Sequence, residues 1–182
     1  MNMKHTQQLN TLPDLVKKVG WFYTVLSTGG LAGYAPVASG TVGTAVAIPL
    51  YLLIMYAGQT FGQHRFLWLF YVLITLGIFG LGVRGANKVE TAVQQKDSGI
   101  IVIDEIVGYL VSMFLVPHQW SLIILGFFVF RFFDILKPYP IRKLDQNPTL
   151  KGFGVMIDDV LAGVYSAIVM HLFVLVSKHY GW

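Results

Sequence analysis

Five of the nine acidic residues in this 182-residue chain lie within apolar surroundings, where a carboxylate needs a reason to be. Asp104 and Glu105 stand side by side in IIVIDEIVG, Asp134 sits in FRFFDILKP, and Asp158 and Asp159 are adjacent in GVMIDDVLAG. On insertion scales one charge at the centre of a membrane helix costs roughly 2.5–3.5 kcal/mol. Neighbouring carboxylates repel each other unless a cation stands between them. An oxygen-preferring ion such as Mg²⁺ answers both problems, because it binds a few carboxylates, keeps several waters and suits phosphate substrates. The metal-ligand candidates, which are also the catalytic candidates, are therefore Asp104, Glu105, Asp134, Asp158 and Asp159. Adjacent acids lie about 100° apart on a helix, so one of each pair is expected to face the ion while the other bonds locally. For either pair taken alone, a helix-start acid favoured by the macrodipole is an equal reading.

Cations accompany these acids. Arg131, Asp134 and Lys137 follow at i, i+3 and i+6, which makes Arg131 and Asp134 neighbours on one helical surface. An arginine inside an apolar run needs a partner or a task. Arg131 and Lys137 are accordingly candidate phosphate contacts. Pro138 and Pro140 end the helix and leave Arg142 and Lys143 at headgroup level, where ordinary positive-inside placement accounts for them; Arg142 is carried as a further phosphate candidate. A third element is ASGTVGT, residues 38–44. Ser39 or Thr41 could cap the following helix, glycines let the backbone approach a ligand, and a helix N-terminus attracts phosphate, which adds Thr41 and Thr44 as candidates. Capping alone explains most such segments.

The elements that must position these residues follow from composition. Apolar residues make up 55% of the chain and charged residues 12%, against ~25% charged in soluble domains, and no charge occurs between Lys18 and Arg65. The expectation is an all-α, polytopic membrane bundle in a single domain, 1–182. Its spanning runs are about five, at 42–58, 66–83, 100–116, 120–136 and 155–177. Residues 1–18 are polar and lack a signal-peptide core, and the glycine-broken segment 19–41 reads as a short interfacial or re-entrant piece. With the N-terminus cytoplasmic, the inner segments hold Lys4, Lys17, Lys18, Arg84, Lys88, Lys96, Lys137, Arg142, Lys143 and Lys151, whereas the outer ones hold Arg65 and Lys178. That orientation brings all five acids to the cytoplasmic face. Gly108 with Ser112, and Gly163 with Ser166, provide small surfaces on which the helices could close.

Several classes fall away. The absence of cysteine removes disulfides, thiolate zinc sites and phosphocysteine chemistry. The net charge of +4 comes without a basic cluster of the nucleic-acid kind, so an anionic lipid surface is the expected partner. His5, His64, His118, His171 and His179 lie outside the acidic motifs, which argues against a phosphohistidine route or a histidine metal site. Two rivals from other classes stay open: an ion-coupled transporter and a structural membrane protein with ion-paired helix ends.

Taken in order, SGTVGT, IVIDEIVG, FRFFDILKPYPIR and GVMIDDVLAGVYSA resemble the bacterial phosphatidylglycerophosphatase A family, over about Thr28 to His171. The resemblance implies a Mg²⁺-dependent phosphatase of the bacterial inner membrane that removes the terminal phosphate of phosphatidylglycerophosphate to give phosphatidylglycerol. It maps Asp104 and Glu105 to the family's acidic pair, Arg131, Asp134 and Lys137 to its FR-x-x-D-x-x-KP segment, and Asp158 and Asp159 to its IDD segment. One departure is Ser39, where members often carry proline.

Overall fold

The computed structural model describes residues 11–61, 64–96, 98–145 and 150–180, so Lys4 and His5 lie outside the described residues. Every regular element among these residues is a helix: α1 (Leu12–Val19), α2 (Trp21–Ser27), a 3₁₀ turn (Ala32–Tyr34), α3 (Ser39–Phe61), α4 (His64–Val93), α5 (Ile103–Ser112), α6 (Trp120–Leu136), α7 (Ile141–Asp145) and α8 (Lys151–His179).

Neither N-terminal helix is long enough to cross a bilayer by itself. In α1, Pro13 and Asp14 occupy the first turn and Lys17 and Lys18 the last, which is the charge order a helix dipole favours, and Gly20 ends the helix at φ 89°. Seven residues of α2 follow, packed on the charged end of α4: the Lys88 ammonium lies 4.4 Å from the Tyr23 ring centre. Trp21 and Phe22 remain exposed, as interfacial aromatics do.

Among the described residues, three helices are long and apolar enough to cross a bilayer: α3 over Ser39–Gln59, α4 over Phe66–Val93, and α8. Their outer surfaces carry exposed leucines such as Leu69, Leu73, Leu76, Leu172 and Leu175. A continuous apolar exterior of this kind belongs to a protein solvated by lipid. The other two expected runs are shorter as helices. The 100–116 run becomes the 10 residues of α5, about 15 Å at 1.5 Å per residue, half the ~30 Å hydrocarbon layer. The 17 residues of α6 reach about 25 Å. This helix stops at Leu136, where Lys137 turns left-handed at φ 42° ahead of Pro138.

The short α5 is the centre of the bundle. Of its ten residues, Ile103, Asp104, Ile106, Val107, Gly108, Tyr109, Leu110 and Ser112 are buried, with α3, α4, α6 and α8 packed around them. Its far end stops within apolar surroundings, and side chains meet its carbonyls: the Tyr71 hydroxyl donates to Leu110 O at 2.6 Å. The Tyr109 hydroxyl in turn donates to Ile123 O of α6 at 3.0 Å. At the other end, Val102 N donates to Ser27 O at 2.9 Å and Ser39 Oγ to Gly99 O at 2.7 Å. The lead-in to α5 is thus held by the end of α2 and the start of α3.

Candidate active site

Small residues bring the acids together. A Cβ on Gly163 would lie 2.3 Å from Gly108 O, and one on Gly108 would lie 2.7 Å from Asp159 O and 2.5 Å from the Phe130 ring. Helices α5 and α8 therefore touch backbone to backbone, as their small residues suggested. Ser112 and Ser166 serve through size alone, since their hydroxyls donate within their own helices to Tyr109 O and Ala162 O.

This contact sets the α5 acids against Asp159. One carboxylate oxygen from each of Asp104, Glu105 and Asp159 lies within 4.8 Å of the other two. Asp104 and Asp159 are buried and Glu105 is nearly so. The remaining two acids are held by cations instead. Asp134 bonds Arg131 Nη1, one helical turn away on α6, and the same Nη1 lies 3.9 Å from Glu105 Oε1. Asp158 Oδ2 accepts from Lys137 Nζ at 2.6 Å.

Three of the five predicted acids thus form the cluster, Asp134 lies beside it against Asp159 and Glu105 while bonding Arg131, and Asp158 bonds Lys137. Of the adjacent pair on α8, Asp159 reaches the cluster and Asp158 bonds Lys137 of the α6 end. On α5 both Asp104 and Glu105 reach the cluster. Asp104 also accepts from the Glu105 amide at 3.1 Å.

A hard cation fits this donor set, and the unmade hydrogen bonds are the reason. Glu105 Oε2, Asp159 Oδ2 and Arg131 Nε are all buried without a hydrogen-bond partner among the described residues. A buried carboxylate oxygen left unpaired costs at least the ~1–3 kcal/mol of a neutral orphan, and more because it is charged. All-oxygen, anionic ligands are the set Mg²⁺ or Mn²⁺ prefers.

The remaining candidates are placed as follows. Thr41 lies half-buried in the first turn of α3. Thr44 is buried and its Oγ1 donates to Gly40 O at 2.9 Å, inside its own helix. Ser39, expected as a cap, instead uses its hydroxyl to hold the α5 lead-in. Arg142 is exposed on α7, with no contact to the cluster among the described residues. His118 and His171 are away from the acids: the first packs on Tyr51, and the second bonds Ala167 O. Gly40, one of the two glycines of ASGTVGT read in sequence as room for a ligand, lies directly against the Glu105–Arg131 pair.

The chain's likenesses agree with this geometry. The sequence profile of the family described as Phosphatidylglycerophosphatase A matches residues 25–174. The chain belongs to the phosphatidylglycerophosphatase A family. It is therefore a phosphatase, of a bacterial family, with a membrane protein's helices. It is 32% identical over 148 residues to the phosphatidylglycerophosphatase A of Escherichia coli (strain K12), covering 81% of this chain and 80% of that one. The phosphatidylglycerophosphatase A of Haemophilus influenzae is 43% identical over 101 residues, 55% of this chain and 61% of its own. A Bacteroides thetaiotaomicron protein, named provisionally as a phosphatidylinositol-3-phosphatase, is 36% identical over 162 residues, 85% of this chain and 95% of its own. No solved structure matches the chain. All three cluster acids and both cation pairs fall within the family match.

Proposed function

We propose that this protein hydrolyses the terminal phosphomonoester of phosphatidylglycerophosphate to phosphatidylglycerol and phosphate. In this reading a Mg²⁺ site is formed by Asp104, Glu105 and Asp159 at the cytoplasmic face. The observation that carries the metal reading is the convergence of three carboxylates within 4.8 Å, two of them with an unpartnered buried oxygen. The two relatives named for this activity support the substrate.

The chemistry is a displacement at phosphorus. Water attacks in line, the bond from phosphorus to the glycerol oxygen breaks, and the leaving oxygen takes a proton. A bound divalent ion would supply charge neutralisation and a water activated at neutral pH. The chain's own groups do the rest. Arg131, held by Asp134 and Glu105, offsets the charge that grows on the phosphoryl oxygens, and Lys137, held by Asp158, provides a second cation on the same side. Asp134 and Asp158 act in this scheme as holders of cations rather than as metal ligands. Acids gathered in one layer, rather than strung along a path, support an enzyme over an ion-coupled carrier.

The proposed topology keeps five passages with the N-terminus inside, the α5 segment making its passage as a short helix plus the turn that follows. Cysteines placed at Arg142 and Gln59 should then label from opposite sides of the membrane. Labelling from one side would overturn the orientation. The activity test is phosphate release by purified protein in detergent from phosphatidylglycerophosphate and from phosphatidylinositol 3-phosphate, with Mg²⁺ and with a chelator. The expected outcome is release from the first lipid that stops on chelation. Release that persists without metal rejects the carboxylate site, and preference for the second lipid rejects the substrate.

A further inference from the structure

Gly40 is the second residue of α3, and it abuts the charged ends of two side chains. A methyl group there would stand 2.2 Å from Glu105 Oε1, 3.2 Å from Glu105 Cδ and 3.1 Å from Arg131 Nη1. This differs in kind from other tight glycines. At Gly33 an added Cβ would meet Ile100 O at 2.0 Å, and at Gly163 it would meet Gly108 O at 2.3 Å, so relief there means moving backbone. At Gly40 relief needs only the tips of Glu105 and Arg131 to shift. The helix itself is poorly placed to withdraw: Ser39 holds Gly99 O, and a Cβ on Gly43, three residues on, would lie 2.6 Å from Val102 Cβ.

We infer that Gly40 is a positioning residue for the carboxylate site. Its bare Cα leaves room for Arg131 to stand 3.9 Å from Glu105 while bonding Asp134, and for Glu105 to keep an oxygen in the cluster with Asp104 and Asp159. A side chain at this position displaces a ligand and a cation together without unfolding the helices around them. The inference rests on the function proposed above and identifies a backbone position that tunes it.

The test compares wild type, Gly40→Ala, Glu105→Asp and the double variant in detergent. Mn²⁺ binding is read by electron paramagnetic resonance, alongside turnover of the lipid phosphomonoester and thermal unfolding. In Gly40→Ala, Mn²⁺ affinity and kcat should each fall roughly 10- to 100-fold, the loss typical of disturbing groups that orient a metal site. KM should stay within about twofold and the unfolding temperature within about 4 °C, the shift of ~1 kcal/mol in a domain of this size. In the double variant the two penalties should combine to less than their product, because the shortened acid has already retreated from the methyl. Wild-type binding and turnover in Gly40→Ala would overturn the inference. So would loss of the folded protein, or penalties that simply multiply. The wild-type arm separates the two failures: absent Mn²⁺ binding with chelator-insensitive turnover rejects the metal reading itself, whereas a metal-dependent wild type with an indifferent Gly40→Ala rejects only the role of Gly40.

Discussion

The two ends of α5 face the same problem, polar groups within an apolar bundle, and resolve it differently. At the far end, Tyr51, Tyr71 and Tyr109 pack edge to face with centroids 6.1 and 6.4 Å apart. Two of their hydroxyls reach backbone carbonyls, and only the Tyr51 hydroxyl lacks a partner among the described residues. A neutral orphan of that sort costs ~1–3 kcal/mol, which a bundle of this size tolerates. At the other end, three carboxylates approach one another while Glu105 Oε2 and Asp159 Oδ2 stay unpartnered. Burying ionised groups costs several kcal/mol each, so this arrangement calls for a cation in a way the tyrosines do not. The first end is closed largely by its own hydrogen bonds, whereas the second leaves two buried carboxylate oxygens without a partner among the described residues. That contrast separates packing from function along a single ten-residue helix.

The sharpest way to break the contrast is to remove a cluster acid. Asp159→Asn should lower turnover by at least ~10²-fold, beyond the usual loss for groups that merely support a metal site. In the presence of a chelator the same variant should unfold at a higher temperature than wild type, since it removes one of three mutually repelling charges. A chelated variant less stable than wild type would show that Asp159 is held by the protein rather than by an ion.

Next in size is Arg131→Met. It leaves Asp134 and Glu105 buried without their cation, and should cost roughly 10- to 100-fold in kcat together with a clear loss of stability, because breaking a buried pair strands its partner. Asp158→Asn should be milder in turnover than Asp159→Asn, although the residues are neighbours in sequence. Equal losses in these two variants, measured side by side, would erase the division between the proposed ligand and the cation holder.

Gly163→Ala tests the packing that brings α5 and α8 together. Its methyl meets backbone at 2.3 Å, so it should destabilise by about 1–3 kcal/mol and weaken metal binding through the shift of Asp159. The smallest effect belongs to the far end. Tyr71→Phe removes the donor to Leu110 O and should lower stability by about 1 kcal/mol with turnover unchanged. A loss of activity there, without a change in thermal unfolding, would show that the two ends are not independent.

Much was legible before any coordinates. The membrane class follows from 55% apolar and 12% charged residues, because a chain so poor in charge cannot cover itself in water. The five carboxylates and two cations of the site stand out because charge in an apolar run is costly. The closeness of α5 and α8 was readable in Gly108 and Gly163, since small residues at one level of two helices leave room for backbone contact.

What the sequence could not convey is how these groups are apportioned. Apolarity continues from Ile100 to Val116 whether or not the backbone is helical, so a run that reads as a span folds as α5 plus a turn, buried by its neighbours on nearly every side. Asp158 and Asp159 are chemically identical in sequence, and only the rotation of α8 against α5 and α6 sends one to the cluster and the other to Lys137. Gly40 read in sequence as room for a ligand's approach, and only the fold shows that Glu105 and Arg131 stand opposite it. Composition and charge placement determined that this protein is a membrane bundle with an acidic, cation-flanked layer, since transfer energies are properties of residues; tertiary structure alone decided which oxygens meet, since a distance of a few ångströms belongs to pairs of helices and to neither sequence segment by itself.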